Sequence, residues 1–300
     1  MIKTNQFLYP LATGFFFAGS FIAAKFATLE LEPLTITLLR YVVALLFLSI
    51  LAFYNKSSSL KIKRRDLLGL ILLGLFGIVG YHYFFFLSLK YTGVTNTAIL
   101  NASSPIITGL IATVFISERL SRKNHWGIFI TFVSVVLLLI KGNIENLLAL
   151  TINVGDGLML LAVINWAIYS IIIKIMVKRY SSFTLTFYAT LFGVVILFFL
   201  ATTENYSAQI NSISLSSIIS ILYMGVCASG LGYLFYNMSI SQIGPTKTAS
   251  FTYSIVPIFV SIFGWIIFRE SITSIMIITM LLIILGLWLM LDNNNNQLKT

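Results

Sequence analysis

A chain of 300 residues that is 58% hydrophobic and 9% charged, with a mean hydropathy of +0.98, is not a water-soluble globule, in which about a quarter of residues carry charge. Its net charge of +10 would suggest a nucleic-acid partner in a soluble protein, but in a membrane chain Lys and Arg set orientation, and no nucleic-acid partner is expected. The single cysteine, Cys227, rules out an intrachain disulfide and a cysteine metal site.

Apolar runs separated by polar or turn-forming breaks fall at 7–27, 34–54, 67–89, 95–116, 124–140, 155–175, 183–202, 216–237, 247–268 and 273–291. A helix of about 20 residues crosses the hydrocarbon core, so these runs predict ten spans with no room for a soluble domain. The first lacks a short apolar region followed by a small-residue cleavage site, and reads as a retained helix rather than a signal peptide. Lipid requires every backbone polar group to be satisfied internally, and the period-two alternation of a barrel is absent, which leaves helices. The asparagine-rich tail, 293–300, is polar and expected to be disordered.

Alternate connections differ sharply in Lys and Arg. One set carries fourteen, among them Lys61, Lys63, Arg64, Arg65, Arg122 and Arg179; the other carries Lys25, Lys90, Lys141 and Arg269. This asymmetry predicts both termini in the cytoplasm of a multi-pass protein of the bacterial (inner) membrane.

The chain also aligns with itself. At an offset of 149, Ala18 meets Ala167, Lys25 meets Lys174 and Thr35 meets Thr184; at 151, Gly74 meets Gly225, Ser88 meets Ser239 and Gly93 meets Gly244; at 152, Pro105 meets Pro257 and Glu118 meets Glu270. Residues 1–145 and 150–292 are therefore expected to be two copies of a five-helix unit. Five is odd, so the second copy enters from the opposite side. Inverted repeats of this kind place a substrate site near the midplane between the halves.

The segment Tyr91-Thr92-Gly93-Val94, followed by Thr97-Ala98, Pro105 and Glu118-Arg119-Leu120, resembles the EamA family of the drug/metabolite transporter superfamily. Ile243-Gly244-Pro245, Ala249, Pro257 and Glu270 repeat the pattern, Asn165-Trp166-Ala167-Ile168-Tyr169-Ser170 is similar to the family's tryptophan-bearing start of the second repeat, and Arg40-Tyr41 to its second-helix Arg-aromatic pair. Phe17 stands where a tryptophan is common in the family. The resemblance implies a ten-helix carrier for small metabolites, often amino acids or their relatives moved outward.

Polar groups inside spans are the candidate site residues, because lipid makes them expensive. Arg40, two turns into its helix from the outer end, either snorkels or attracts a substrate carboxylate. His82, near the middle of the third span, is either a neutral hydrogen-bonded group or a proton carrier. Asn101 precedes Pro105 by four residues, so its carbonyl loses the usual helical donor; Pro257 does the same to Tyr253. Trp166 and Tyr169 either fill space or wall a cavity with Tyr81. The expected substrate-binding set is Tyr81, His82, Asn101, Trp166, Tyr169 and Tyr253, with Arg40 as an outer partner near the surface and Pro105 and Pro257 as helix kinks. No Asp or Glu lies mid-span, so an acidic proton relay is not expected, and facilitated exchange is favoured unless His82 carries protons.

The sequence thus predicts an all-α transporter of small molecules rather than an enzyme. It needs no cofactor or metal, and a monomer in the lipid bilayer is plausible. The rival readings are a nucleotide-derivative or other metabolite carrier of the same superfamily, a membrane enzyme, for which no nucleophile, phosphate loop or metal cluster is visible, and a non-transporting scaffold.

Overall fold

A computed structural model describes residues 5–54, 60–92, 94–140, 142–143, 145, 148, 153–211, 213–269 and 273–291. Among these residues the structure is helical throughout, with no strand. Gly93, Glu270 and the tail 293–300 lie outside the described residues.

The long helices are α1 (Asn5–Ala27), α2 (Pro33–Tyr54), α3 (Arg64–Ser88), α4 (Val94–Ala102 continued, after Ser103, by Ser104–Ile116), α5 (Arg122–Leu139), α6 (Val154–Met176), α7 (Ser182–Leu200), α8 (Leu215–Ile243), α9 (Pro245–Phe268) and α10 (Ser274–Leu291). A short helix, Tyr206–Asn211, lies between α7 and α8. Eight of these helices are long and apolar enough to cross a membrane. The two that fall short are α5, whose first turn carries Arg122, Lys123, Asn124 and His125, and α10, whose apolar stretch is shorter.

Local chemistry fixes the helix ends. Ser121 with Asn124 and Asn153 with Asp156 form reciprocal capping boxes at the starts of α5 and α6, each satisfying two otherwise orphaned amides. Pro33 and Pro245 open α2 and α9, where a missing amide hydrogen costs nothing. Just past α4 and α9, Ser117 and Arg269 adopt left-handed backbone (φ 52° and 56°) and reverse the chain.

Helices α3 and α8 each contain a widened, π-helical stretch, Gly74–Gly80 and Met224–Gly232. These stretches are glycine-rich for a steric reason. A Cβ on Gly74 would lie 2.6 Å from the Gly193 amide nitrogen of α7, and one on Gly225 would lie 2.8 Å from the Arg40 carbonyl oxygen of α2. Neighbouring backbones can approach that closely only where the side chain is absent.

Packing follows a regular scheme: α1 packs on α8 and α9, α6 on α3 and α4, α2 on α8, α7 on α3, α2 on α7, and α5 on α10. The outer surface is studded with apolar side chains such as Leu110, Val114, Phe199 and Leu281, all more than 60% exposed. A soluble protein does not carry such a belt, and lipid covers it here. Inside, Tyr41, Trp166, Tyr169 and Tyr236 are fully buried.

Candidate functional site

At one end of the bundle, the Ala27 end, Glu204 accepts hydrogen bonds from the Leu34 and Thr35 amides, Lys90 pairs with Glu32, and Thr92 donates to Asp156. At the other, the Ile243 end, Asp66 pairs with Arg179 and accepts from the Tyr180 hydroxyl, Lys174 donates to the Ile240 carbonyl, and Thr246 donates to Glu118.

Between the middle of the bundle and the Ala27 end lies a cavity of about 60 Å³. That is room for a few waters or the polar head of a ligand. Its walls come from α1 (Phe17, Ser20, Phe21), α2 (Arg40), α3 (Tyr81, His82, Phe85), α6 (Trp166), α8 (Tyr233) and α9 (Tyr253, Val256). Tyr81, His82 and Tyr233 directly follow the two widened stretches. A π turn re-aims the residues after it, and such turns recur at functional sites.

The walls are a continuous aromatic cluster. The Trp166 ring lies 4.9 Å from Tyr81, 5.2 Å from Tyr169 and Tyr233, and 4.8 Å from Tyr236, while His82 packs edge-on against Tyr41 at 5.3 Å. Polar tips of the rings are tied down. Trp166 Nε1 donates to the Tyr236 hydroxyl (2.8 Å), the Tyr233 hydroxyl to the Gly77 carbonyl (2.8 Å), and His82 Nδ1 bonds the Ile78 carbonyl (3.0 Å). That last contact puts a proton on Nδ1 and leaves Nε2 as the ring's remaining polar atom.

Of the residues expected from sequence, Tyr81, His82, Trp166, Tyr253 and Arg40 line one cavity. Arg40 is buried in the protein rather than exposed at its surface. It is 5% exposed, and its Nε donates to Ser229 Oγ at 2.9 Å. The widened stretch of α8 carries Ser229 and presses against α2 at this level, so Arg40 is held inward instead of snorkelling.

Tyr169 and Asn101 sit behind the walls rather than in them. Asn237 Nδ2 donates to the Tyr169 hydroxyl (2.8 Å) and to Thr186 Oγ1 (2.9 Å), a network on the Ile243 side of the cavity. Asn101 is buried next to Tyr81, whose hydroxyl is directed at Asn101 and Tyr253. The carbonyl that Pro105 leaves without its helical donor is not vacant, because the Ser104 hydroxyl donates to it at 2.6 Å. Pro105 marks a true break in α4, at Ser103, whereas α9 runs through Pro257. Asn165 turns away and bonds the Leu161 carbonyl of its own helix.

Sequence reasoning missed Ser229, Tyr233 and Tyr236. A signal existed for Tyr233, since the offset of 151 pairs it with His82. Among the described residues no group of three or more His, Cys, Asp or Glu side chains is placed to hold a metal.

The sequence model of the EamA-like transporter family matches this chain twice, over residues 6–140 and 153–292. The uncharacterized transporter YyaM of Bacillus subtilis (strain 168) is 27% identical over 286 residues, which cover 95% of this chain and 93% of the relative. An uncharacterized transporter of Archaeoglobus fulgidus is 28% identical, covering 90% and 91%. The WAT1-related protein At3g30340 of Arabidopsis thaliana is 26% identical, covering 87% and 79%. A solved crystal structure shares the fold with a TM-score of 0.77 at 14% identity, covering 96% of each chain. The two family matches, the helical architecture and its apolar surface agree: the chain belongs to the EamA-like transporter family and is a multi-pass membrane transporter.

Proposed function

We propose that the protein moves small amino-acid-like or related metabolites across the bacterial inner membrane, by efflux or exchange, through alternating access between two inverted five-helix repeats, residues 1–145 and 150–292. The observation that carries this reading is the buried aromatic cavity with Arg40 in its wall, formed by helices from both halves. Arg40 supplies the partner for a carboxylate, the rings hold the apolar part, and Tyr81, His82 and Tyr253 orient the remainder. Asn101 and Tyr169 position Tyr81 and Trp166 from behind.

Three features support the repeat. The packing scheme is unchanged when each helix is exchanged for the one five places later, so that α1 on α9 becomes α6 on α4 and α2 on α8 becomes α7 on α3. The widened stretches and the left-handed residues Ser117 and Arg269 recur at the offsets found in the sequence. The family match also occurs twice. On this reading α5 and α10 complete ten spans. The Lys and Arg bias then puts the Ile243 end in the cytoplasm and the cavity on the outer side of its Trp166–Tyr236 floor.

A nucleotide-derivative exchanger is less well supported, because among the described residues the cavity wall offers one cationic side chain where a diphosphate calls for several. Counterflow in proteoliposomes with a panel of labelled metabolites tests the proposal. Accumulation of at least one amino acid or related carboxylate is expected, and no exchange of any compound by folded protein would overturn it.

A further inference from the structure

The charge inside the cavity is unbalanced. Arg40 is 5% exposed and lies in the cavity wall. Among the described residues its only hydrogen bond runs from Nε to Ser229 Oγ, and its guanidinium carbon lies 5.5 Å from the Tyr41 ring centroid. Both Nη groups are left without an acceptor among the described residues. Among the described residues no Asp or Glu lines the cavity, and the remaining walls are rings, hydroxyls, small side chains and His82. A guanidinium in a low-dielectric site needs a countercharge, and the fork of its Nη hydrogens matches the two oxygens of a carboxylate.

We propose, resting on the carrier reading above, that this is a site for an organic monoanion: a carboxylate with an apolar, preferably aromatic body and no ammonium group. The net charge of the ligand is what the site selects. A zwitterionic amino acid brings its carboxylate to Arg40 but adds a second positive charge beside it, so the site as a whole stays at +1. The ammonium finds only ring faces and hydroxyls there, with no carboxylate to pair with. A monoanion neutralises Arg40 completely, and its body meets Phe17, Tyr81, Trp166 and Tyr233.

The test uses full-length protein in nanodiscs and three probes of similar body: 3-phenylpropionate, its neutral amide, and phenylalanine. The carboxylate should bind at least ~10-fold more tightly than either of the others, since a site built to pair one group rejects analogues that lack it or add an unpaired charge. Arg40→Gln should bring the carboxylate down to the affinity of the amide. Arg40→Lys, which keeps the charge but not the fork, should retain the order of the three probes with weaker binding. The wild-type ranking needs no variant, so misfolding of Arg40→Gln does not decide the matter. Phenylalanine binding as tightly as 3-phenylpropionate, an unchanged ranking in folded Arg40→Gln, or no binding of any probe to the wild type would each overturn the proposal. Counterflow of an amino acid without any anion preference would remove the anion site and leave the carrier reading standing. Anion binding without transport of any compound would remove the carrier reading instead.

Discussion

Trp166 Nε1 donates to the Tyr236 hydroxyl at 2.8 Å, and both side chains are fully buried. The bond joins α6 to α8 directly under the cavity. Ser170, which lies 3.1 Å from the same hydroxyl, makes Tyr236 the hub of the floor. Tyr236→Phe leaves the indole N–H without a partner, which costs about 1–3 kcal/mol when the group is buried. We expect a lower thermal midpoint in detergent and slower transport per folded molecule. An unchanged midpoint would mean that the indole finds another acceptor and that Tyr236 does not organise the floor.

Trp166 and Trp126 make a matched pair. Trp166 is 0% exposed in the cavity wall, while Trp126, in the first turns of α5, is 64% exposed on the lipid face. Trp166→Ala removes a buried indole and is expected to cost about 3–5 kcal/mol, so Trp166→Phe is the sharper variant. It should lower transport per folded molecule by about tenfold, the scale of about 1.4 kcal/mol. Trp126→Ala should act only through abundance. Equal transport by folded Trp166→Phe and Trp126→Ala would make the tryptophan of α6 ordinary packing.

Much of this architecture was legible in the sequence because lipid imposes long apolar runs, and the ten runs coincide with α1 to α10 within a few residues except that α8 continues to Ile243. The proposed repeat rests in the sequence on matched glycines and prolines, whose positions are set by backbone geometry and not by side-chain chemistry. The widened stretches in α3 and α8 were not, since a π turn leaves no mark on hydrophobic periodicity. Their consequence, Ser229 bonded to a buried Arg40, was therefore invisible. Asn101 misled in a different way. Proline chemistry did free its carbonyl, but the neighbouring Ser104 hydroxyl reached it first.

Topology follows from the charge bias and is directly testable. A reporter fused after Thr300 and one inserted in the Lys56–Arg65 connection should both report cytoplasm. Conversely, Leu29, 81% exposed between α1 and α2, replaced by Cys in a Cys227→Ser background, should react with an impermeant thiol reagent added outside intact cells. An external signal from either reporter would overturn the inverted arrangement.

Glu118 supplies a pH-dependent prediction. It lies between α4 and α5, outside the helices, and touches the turn between α8 and α9: Thr246 donates to its carboxylate, and Gly244, at φ 88°, makes the close approach. Burial pushes its carboxyl above the ordinary value near 4.5, outweighing the hydrogen bonds from Thr246 and the charges of Lys174 and Lys247 that draw it down. In the window above that ordinary value the folded state therefore holds more protons than the unfolded one, and stability falls as pH rises through it. Glu118→Gln cannot ionise and escapes this loss. Thermal midpoints measured from about pH 5 to about pH 8 should show the wild type losing ground to Glu118→Gln as pH rises, with the gap smallest or reversed at the acidic end. Because Glu118 lies outside the cavity, any proton dependence of transport should survive the substitution. A difference that stays flat with pH would show that Lys174 and Lys247 compensate the buried carboxylate fully, and loss of proton dependence in folded Glu118→Gln would make this acid part of the transport machinery.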